Sequence, residues 1–173
     1  GWQDWFSVYD YSGGVILDLA IHDLDYLRWV FGEVERVYAK TTRNRTDADL
    51  EHAFIILRFK NGVIAHVEGS WASFPGGFYT TLEIAGDQGL ISYDSRQSVP
   101  ILKAGGSNNG KIPGVSVPES PALKSPYFLE LADMIGAIRE DRAPLVSVSD
   151  AFLSLQVALA ALESAQKDQV ITL

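Results

Sequence analysis

The stretch Gly13-Gly14-Val15-Ile16-Leu17-Asp18-Leu19-Ala20-Ile21-His22-Asp23-Leu24-Asp25-Tyr26-Leu27-Arg28-Trp29-Val30-Phe31, closed by Gly32, decides how this chain reads. Its apolar residues recur three and four positions apart, the period of a helix with one buried face. At about 100° per residue, Ile16, Leu17, Leu19, Ala20, Leu24, Leu27 and Val30 share one arc. Gly32 supplies a stop just past the last apolar residue. Away from that arc, Asp18, His22, Asp25 and Trp29 follow one another at spacings of four, three and four, so they stack on one side. Such a stripe is either a solvated face, as on any half-buried helix, or a functional surface. Two features favour the second: the stripe ends in tryptophan, and Gly13-Gly14 at the helix start allow close approach of a ligand or a strand. Asp23 projects inside the apolar arc. A buried carboxylate without a partner is costly, so it needs a partner or the end of the buried region, and a structural role follows.

The chemistry available to the stripe is specific. A carboxylate one turn before an imidazole can orient it or share a substrate hydroxyl with it. Histidine titrates near neutrality, so it can take a proton from an alcohol as hydride leaves the same carbon. A base of this kind contributes roughly 10² to 10⁴ in rate.

Outward from this helix, strand signals follow in series. Val34 to Thr42 is rich in valine, tyrosine and threonine, and Glu51 to Lys60 is joined to Val63 to Ser73 by Asn61-Gly62, a strong hairpin signal. A two-residue turn there sets Leu57 opposite His66 and Ile55 opposite Glu68. One face then carries Ala53, Ile55, Leu57, Phe59 and Ile64, and the other carries Phe54, Ile56, Val63, Ala65, Val67 and Trp71. A sheet apolar on both faces must be covered on both, by helices or by a partner molecule. Tyr79 to Ala85 and Leu90 to Tyr93 read as a further antiparallel pair around Gly86-Asp87-Gln88-Gly89.

From Asp94 to Pro126 the composition turns to Ser, Gly, Pro and Asn, the mark of a long loop that serves as a lid, a binding loop or a disordered stretch, with a short edge strand at Ile101-Leu102-Lys103. Two helices close the chain. Tyr127 to Asp141 has the stripe Phe128, Leu131, Ile135 and Ile138; the second, N-capped by Ser149 or Asp150 and running to about Lys167, has Phe152, Leu155, Leu159 and Leu162. Gln169 to Leu173 can form a last strand. There is no internal repeat. The order helix, antiparallel strands, helices predicts a single α+β domain over residues 1–173, a mixed, mostly antiparallel open sheet with helices packed on one face.

Composition removes several classes. The chain has 173 residues, no cysteine and a formal net charge of −8, which excludes thiolate nucleophiles, cysteine zinc sites and disulfides and argues against a nucleic-acid surface. No apolar run reads as a membrane span and no signal peptide is apparent, so a cytoplasmic protein is expected. The chain opens at Gly1 on an aromatic cluster, Trp2, Trp5, Phe6, Tyr9 and Tyr11, which is expected of a fragment of a longer protein. Gly105-x-x-x-x-Gly110-Lys111 nearly spells a phosphate-binding loop, but Ile112 and Pro113 stand where a Ser or Thr and a helix are needed. His52 and His66 read as ordinary hydrogen-bonded or interface histidines. A metal held by Asp18, His22 and Asp25 would need three ligands from one stripe, a poor geometry, so no metal is expected.

Several of these elements together resemble one family. The run Ser12 to Asp25, ending in Arg28-Trp29 and Gly32, the hairpin Phe59 to Ala65 followed by Gly69-Ser70-Trp71, the turn Gly86 to Gly89 and the closing helix Ala158 to Ser164 are similar to the C-terminal domain of the glucose-fructose oxidoreductase / inositol dehydrogenase / MocA family, over nearly the whole chain. That resemblance implies a fold akin to the C-terminal domain of glyceraldehyde-3-phosphate dehydrogenase and an NAD(P)-dependent dehydrogenase of a sugar, cyclitol or related polyol. It implies Asp18 and His22 as the catalytic pair, His22 moving the proton and Asp18 orienting it or the substrate. Asp25 would support the pair, while Gly13, Gly14, Trp29 and Tyr127 would border the substrate; Tyr127 reads equally well as a core aromatic, and Trp29 as an interface residue. It also implies a homodimer or tetramer through the sheet face. No Gly-x-Gly-x-x-Gly occurs in these residues, so the Rossmann domain, its lysine and the NAD or NADP site are expected outside this chain, which alone should be inert and bind no cofactor tightly. The competing expectation is a non-catalytic ligand-binding or assembly module on the same fold.

Overall fold

The computed structural model describes residues 8–43, 51–71, 78–97, 101–105, 114–117 and 124–173. The chain falls into two compact units, one built from residues 1–73 and 143–173, the other from residues 74–142.

In the first unit a short helix α1 (Tyr9–Ser12) leads through Gly13 and Gly14 into a π-helical turn (Ile16–Ala20) that continues as α2 (Ile21–Phe31). Strands β1 (Val34–Arg43), β2 (Glu51–Phe59), β3 (Ile64–Ser70) and β8 (Ile171–Thr172) form a sheet in the order β3-β2-β1-β8, and α4 (Val148–Lys167) packs against β1 and α2. In the second unit β4 (Thr81–Gly86), β5 (Gly89–Asp94), β6 (Ile101–Gly105) and β7 (Gly114–Val117) form a sheet in that order, accompanied by α3 (Pro126–Glu140). Every described pairing is antiparallel. The α+β class therefore stands, with its strands shared between two sheets. Gly105 ends β6 and residues 106–113 lie outside the described set, so the near phosphate-loop motif falls largely beyond view. The segment from Asp94 to Pro126, read as a loop with an edge strand, contains two strands, and Ile101–Gly105 is interior, lying between β5 and β7.

The hairpin departs from the expected register by one residue. Phe59 N–H donates to Val63 O at 2.9 Å and Gly62 N–H donates to Phe59 O at 2.9 Å, closing a three-residue loop whose last member, Gly62, has φ +96°. A type I turn followed by a left-handed residue is the next choice after the two-residue turns, and glycine makes it affordable. Leu57 consequently faces Ala65 instead of His66, and Ile55 faces Val67 instead of Glu68. Because the side-chain period is two, one residue of slip exchanges faces. Ala65 and Val67 turn inward beside Ala53, Ile55, Leu57 and Phe59, while Ile64 joins Phe54 and Ile56 on the outer face.

The core lies between the inner face of the β3-β2-β1-β8 sheet and the helices. Val15, Ile16, Ala20, Leu24 and Leu27 meet Val37, Ala39, Ala53, Ile55, Leu57 and Phe59 there, each large side chain contributing about 1.5–3 kcal/mol of burial. Val30, assigned to the arc, is exposed. In α4 the buried face is Ser154, Val157, Ala158, Ala161 and Ser164, not the stripe of large residues; Phe152, Leu155 and Leu159 are exposed. Small side chains let this helix approach the sheet closely enough for Ser164 to use both its hydrogen-bonding capacities. Its Oγ accepts the Ala39 N–H at 2.9 Å and donates to Gln169 O at 2.5 Å. Because β8 pairs with β1 only at Arg36 and Val37, the N–H of Ala39 needs that partner.

The α4 cap is also displaced from expectation. Ser147 is the N-cap, and Asp150, at the third helical position, closes a reciprocal capping box with it. This 20-residue helix is long and apolar enough to cross a bilayer, contrary to the sequence expectation, but its small-residue face is spent on β1 and α2. In α3, capped by Ser125 with Pro126 in the first turn, only Ala137 is buried, and the expected core stripe Phe128, Leu131, Ile135 and Ile138 is exposed.

Candidate functional site

The site is built on the junction of α1 and the first long helix. Gly13, at φ +73°, takes the left-handed cap of α1, its N–H donating to Tyr9 O at 2.8 Å. Gly14 repeats the left-handed conformation at φ +81°, and its N–H donates to Ser12 Oγ at 3.0 Å. From here Val15 N–H donates to a carboxylate oxygen of Glu51, at the start of β2, at 2.7 Å. Both glycines therefore shape the entry to the helix through backbone geometry.

The helix opens with five residues of π-helix, the N–H of Ile21 reaching back to Ile16 O. Short π segments occur mostly as local bulges and often at functional sites. Asp18 lies within this turn and His22 in the first turn of α2; Asp18 is half-buried and His22 is exposed. Burial pushes the Asp18 carboxyl above the usual carboxylate range, and the charge of His22 pulls it partly back. Asp23 behaves alike: burial raises its carboxyl and His22 opposes the rise. The imidazole thus acts electrostatically on two carboxyls, one on either side of it in sequence. Asp23 is open to solvent on one side and close enough to protein on the other for its carboxyl to be raised, which puts it at the end of the buried region and not inside the apolar arc.

Asp25 is engaged from α4. Its carboxylate accepts from Ser154 Oγ at 2.5 Å, and that oxygen accepts from Arg28 Nη1 at 2.9 Å. Arg28 also reaches Asp150 O at 3.2 Å and Glu33 Oε1 at 3.1 Å. Asp25 therefore clamps α2 to α4. Trp29 is 81% exposed and touches Tyr26, ring centroids 6.0 Å apart, so among the described residues of this unit none makes it a pocket wall. Tyr127 is the second residue of α3, in the second unit, and is exposed, which excludes the core-aromatic reading within that unit.

His66 is exposed on the outer sheet face, stacked on Phe54 with centroids 5.9 Å apart, and His52 Nε2 lies 3.3 Å from Glu68 Oε1. Sequence reasoning missed Glu51, although its parity with Ala53, Ile55, Leu57 and Phe59 marks it as inward-facing. It also missed Ser154, which the small-residue period of α4 could have revealed. A cavity of about 310 Å³ adjoins the helix entry, lined by Tyr9, Thr41, Glu51, Leu162, Ala165 and Gln166. Among the described residues no strand, glycine-rich turn and helix combine in a parallel crossover, so these elements form no cradle for a dinucleotide pyrophosphate.

This arrangement defines a class of α+β domain, an open antiparallel sheet with its helices on one face and an acid and an imidazole one turn apart on the first long helix. Residues 1–92 match the family model of the GFO/IDH/MocA C-terminal domain, and the chain belongs to that family. It is 31% identical over 162 residues to scyllo-inositol 2-dehydrogenase (NAD(+)) of Bacillus subtilis (strain 168), covering 89% of this chain and 46% of the relative. It is 28% identical over 169 residues to myo-inositol 2-dehydrogenase of Thermotoga maritima, covering 94% and 50%. The chain thus spans about half the length of the curated relatives it matches. Among solved structures, levoglucosan dehydrogenase in complex with NADH and L-sorbose has the same fold, with a TM-score of 0.83 over 98% of this chain and 52% of that one, at 23% identity.

Proposed function

We propose that this chain is the substrate-binding half of a nicotinamide-dependent dehydrogenase that interconverts a secondary alcohol and a ketone on a polyol such as an inositol or a sugar. The single observation that carries this reading is the 31% identity to an inositol dehydrogenase over 89% of this chain, which includes the helix that bears Asp18 and His22 one turn apart. The identities with inositol dehydrogenases support the substrate class. The dinucleotide is held by another part of the full-length protein, since the described elements here do not fit it. When bound, nicotinamide accepts or returns the hydride.

The chain's own residues handle the proton. His22, exposed at the start of α2, takes the proton of the substrate hydroxyl and returns it in the reverse direction, for about 10² to 10⁴ in rate. Asp18 accepts a hydrogen bond from a neighbouring substrate hydroxyl or from the imidazole and so sets their mutual angle. The outer face of the β3-β2-β1-β8 sheet, with Phe54, Ile56 and Ile64 exposed, is the surface for self-association. In the full-length protein, His22→Ala should lower kcat at least about 10²-fold with little change in KM for the polyol. Equal losses in both constants, or none, would favour a ligand-binding module without catalysis.

A further inference from the structure

Glu51 opens β2 in the same inward register as Ala53, Ile55, Leu57 and Phe59, and is 5% exposed. Its Oε2 accepts the Val15 N–H at 2.7 Å, across a sequence separation of 36 residues. Its main-chain oxygen accepts the Trp71 N–H at 2.9 Å, which ties the same residue to the end of β3. Gly14 makes room for the carboxylate, since a Cβ at that position would stand 2.3 Å from Oε2. The first N–H groups of a helix lack partners within it, and a carboxylate oxygen beside them also meets the favourable end of the helix dipole. Val15 is the residue immediately before the π turn, and Asp18 comes three residues later. A π turn lacks the regular i→i−4 ladder, so its geometry depends on contacts that hold its ends.

We propose that Glu51 is a positioning residue for the Asp18–His22 pair. By fixing Val15 it holds the entry of the π turn, and the π turn sets where the Asp18 carboxyl stands relative to the imidazole. The anchoring rests on geometry alone; its effect on turnover rests on the dehydrogenase reading.

The experiment compares full-length wild type with Glu51→Ala, Glu51→Gln and Gly14→Ala, using hydrogen exchange over residues 15–20 and steady-state oxidation of myo-inositol and scyllo-inositol by NAD+. Glu51→Gln keeps an acceptor for Val15 and leaves the fold a near-isosteric side chain. In Glu51→Ala, exchange over these residues should accelerate about tenfold or more, as expected for losing a local closing contact. Its kcat should fall about tenfold or more at nearly constant KM, the mark of an interaction realised in the transition state. Gly14→Ala, which crowds the carboxylate without removing it, should reproduce both effects, and Glu51→Gln should restore both to within about threefold of wild type. Unchanged exchange in both Glu51→Ala and Gly14→Ala overturns the anchor, whatever the turnover. Faster exchange with unchanged kcat overturns the positioning role. If wild type itself oxidises neither inositol nor a panel of sugars while the exchange pattern holds, the anchor stands and the dehydrogenase reading falls.

Discussion

Ser154 Oγ donates to the Asp25 carboxylate at 2.5 Å while accepting from Arg28 Nη1 at 2.9 Å, and the serine is 2% exposed. One hydroxyl therefore joins an acid and a base of α2 to the face of α4. Removing it leaves Asp25 and Arg28 facing each other across an unfilled gap. Ser154→Ala should cost about 1–3 kcal/mol, read as a lowered urea midpoint with an unchanged slope. Turnover per folded molecule should stay at the wild-type value, because the clamp does not touch the Asp18–His22 pair.

The buried hydroxyl of Ser164 has a different task. It accepts the N–H of Ala39, beyond the reach of β8, and donates to Gln169 O. Ser164→Ala orphans a strand N–H in the core and should destabilise by about 1–3 kcal/mol. In hydrogen exchange, the Ala39 amide should lose more protection than its neighbours on β1.

Gly62→Ala should destabilise by more than about 1 kcal/mol, because the left-handed residue of the hairpin loop at φ +96° cannot accept a Cβ without strain. The open space around it, where only Arg58 comes near, means that packing offers no relief or further penalty. Thermal melts that show no loss would require a different loop geometry and register.

The pH dependence of Asp18 has a definite sign. Burial, only partly offset by His22, raises its carboxyl above 3.8. A folded-state pKa above the unfolded value means that the native state binds the proton more tightly. Stability therefore declines as pH rises from the unfolded value through the folded one, and the penalty persists above it. Asp18→Asn should raise Tm at pH 7 and lose that advantage below pH 3.8, while turnover falls at all pH values. A lowered Tm at pH 7 would mean that the carboxylate is stabilised by contacts stronger than its burial cost.

Self-association through the outer sheet face predicts that Ile56→Lys with Ile64→Lys, at positions already 48% and 66% exposed, leaves folding intact. Light scattering should then report a smaller assembly than wild type. An unchanged mass would move the interface elsewhere.

The sequence by itself determined which elements form. The period of three and four in Ile16 to Leu27, the β-branched runs of β1 to β3 and the Asn61-Gly62 turn are local signals, read within a few residues, and each produced its element. The same local spacing brought Asp18 and His22 to adjacent turns. Only the tertiary structure decided which face of each element is buried. In α4 the larger apolar stripe lost to Ser154, Ala158, Ala161 and Ser164 because close approach to β1 and paired polar groups outweigh side-chain size. In the hairpin one added loop residue reversed Ala65 and Ile64. Asp25 is taken up by Ser154, a partner that only the packing of α4 on α2 supplies. Glu51, distant in sequence from the helix it caps, has meaning only once β2 and Val15 lie side by side. Periodicity is a property of a segment, whereas burial and hydrogen-bond pairing belong to the neighbours that the fold brings to it.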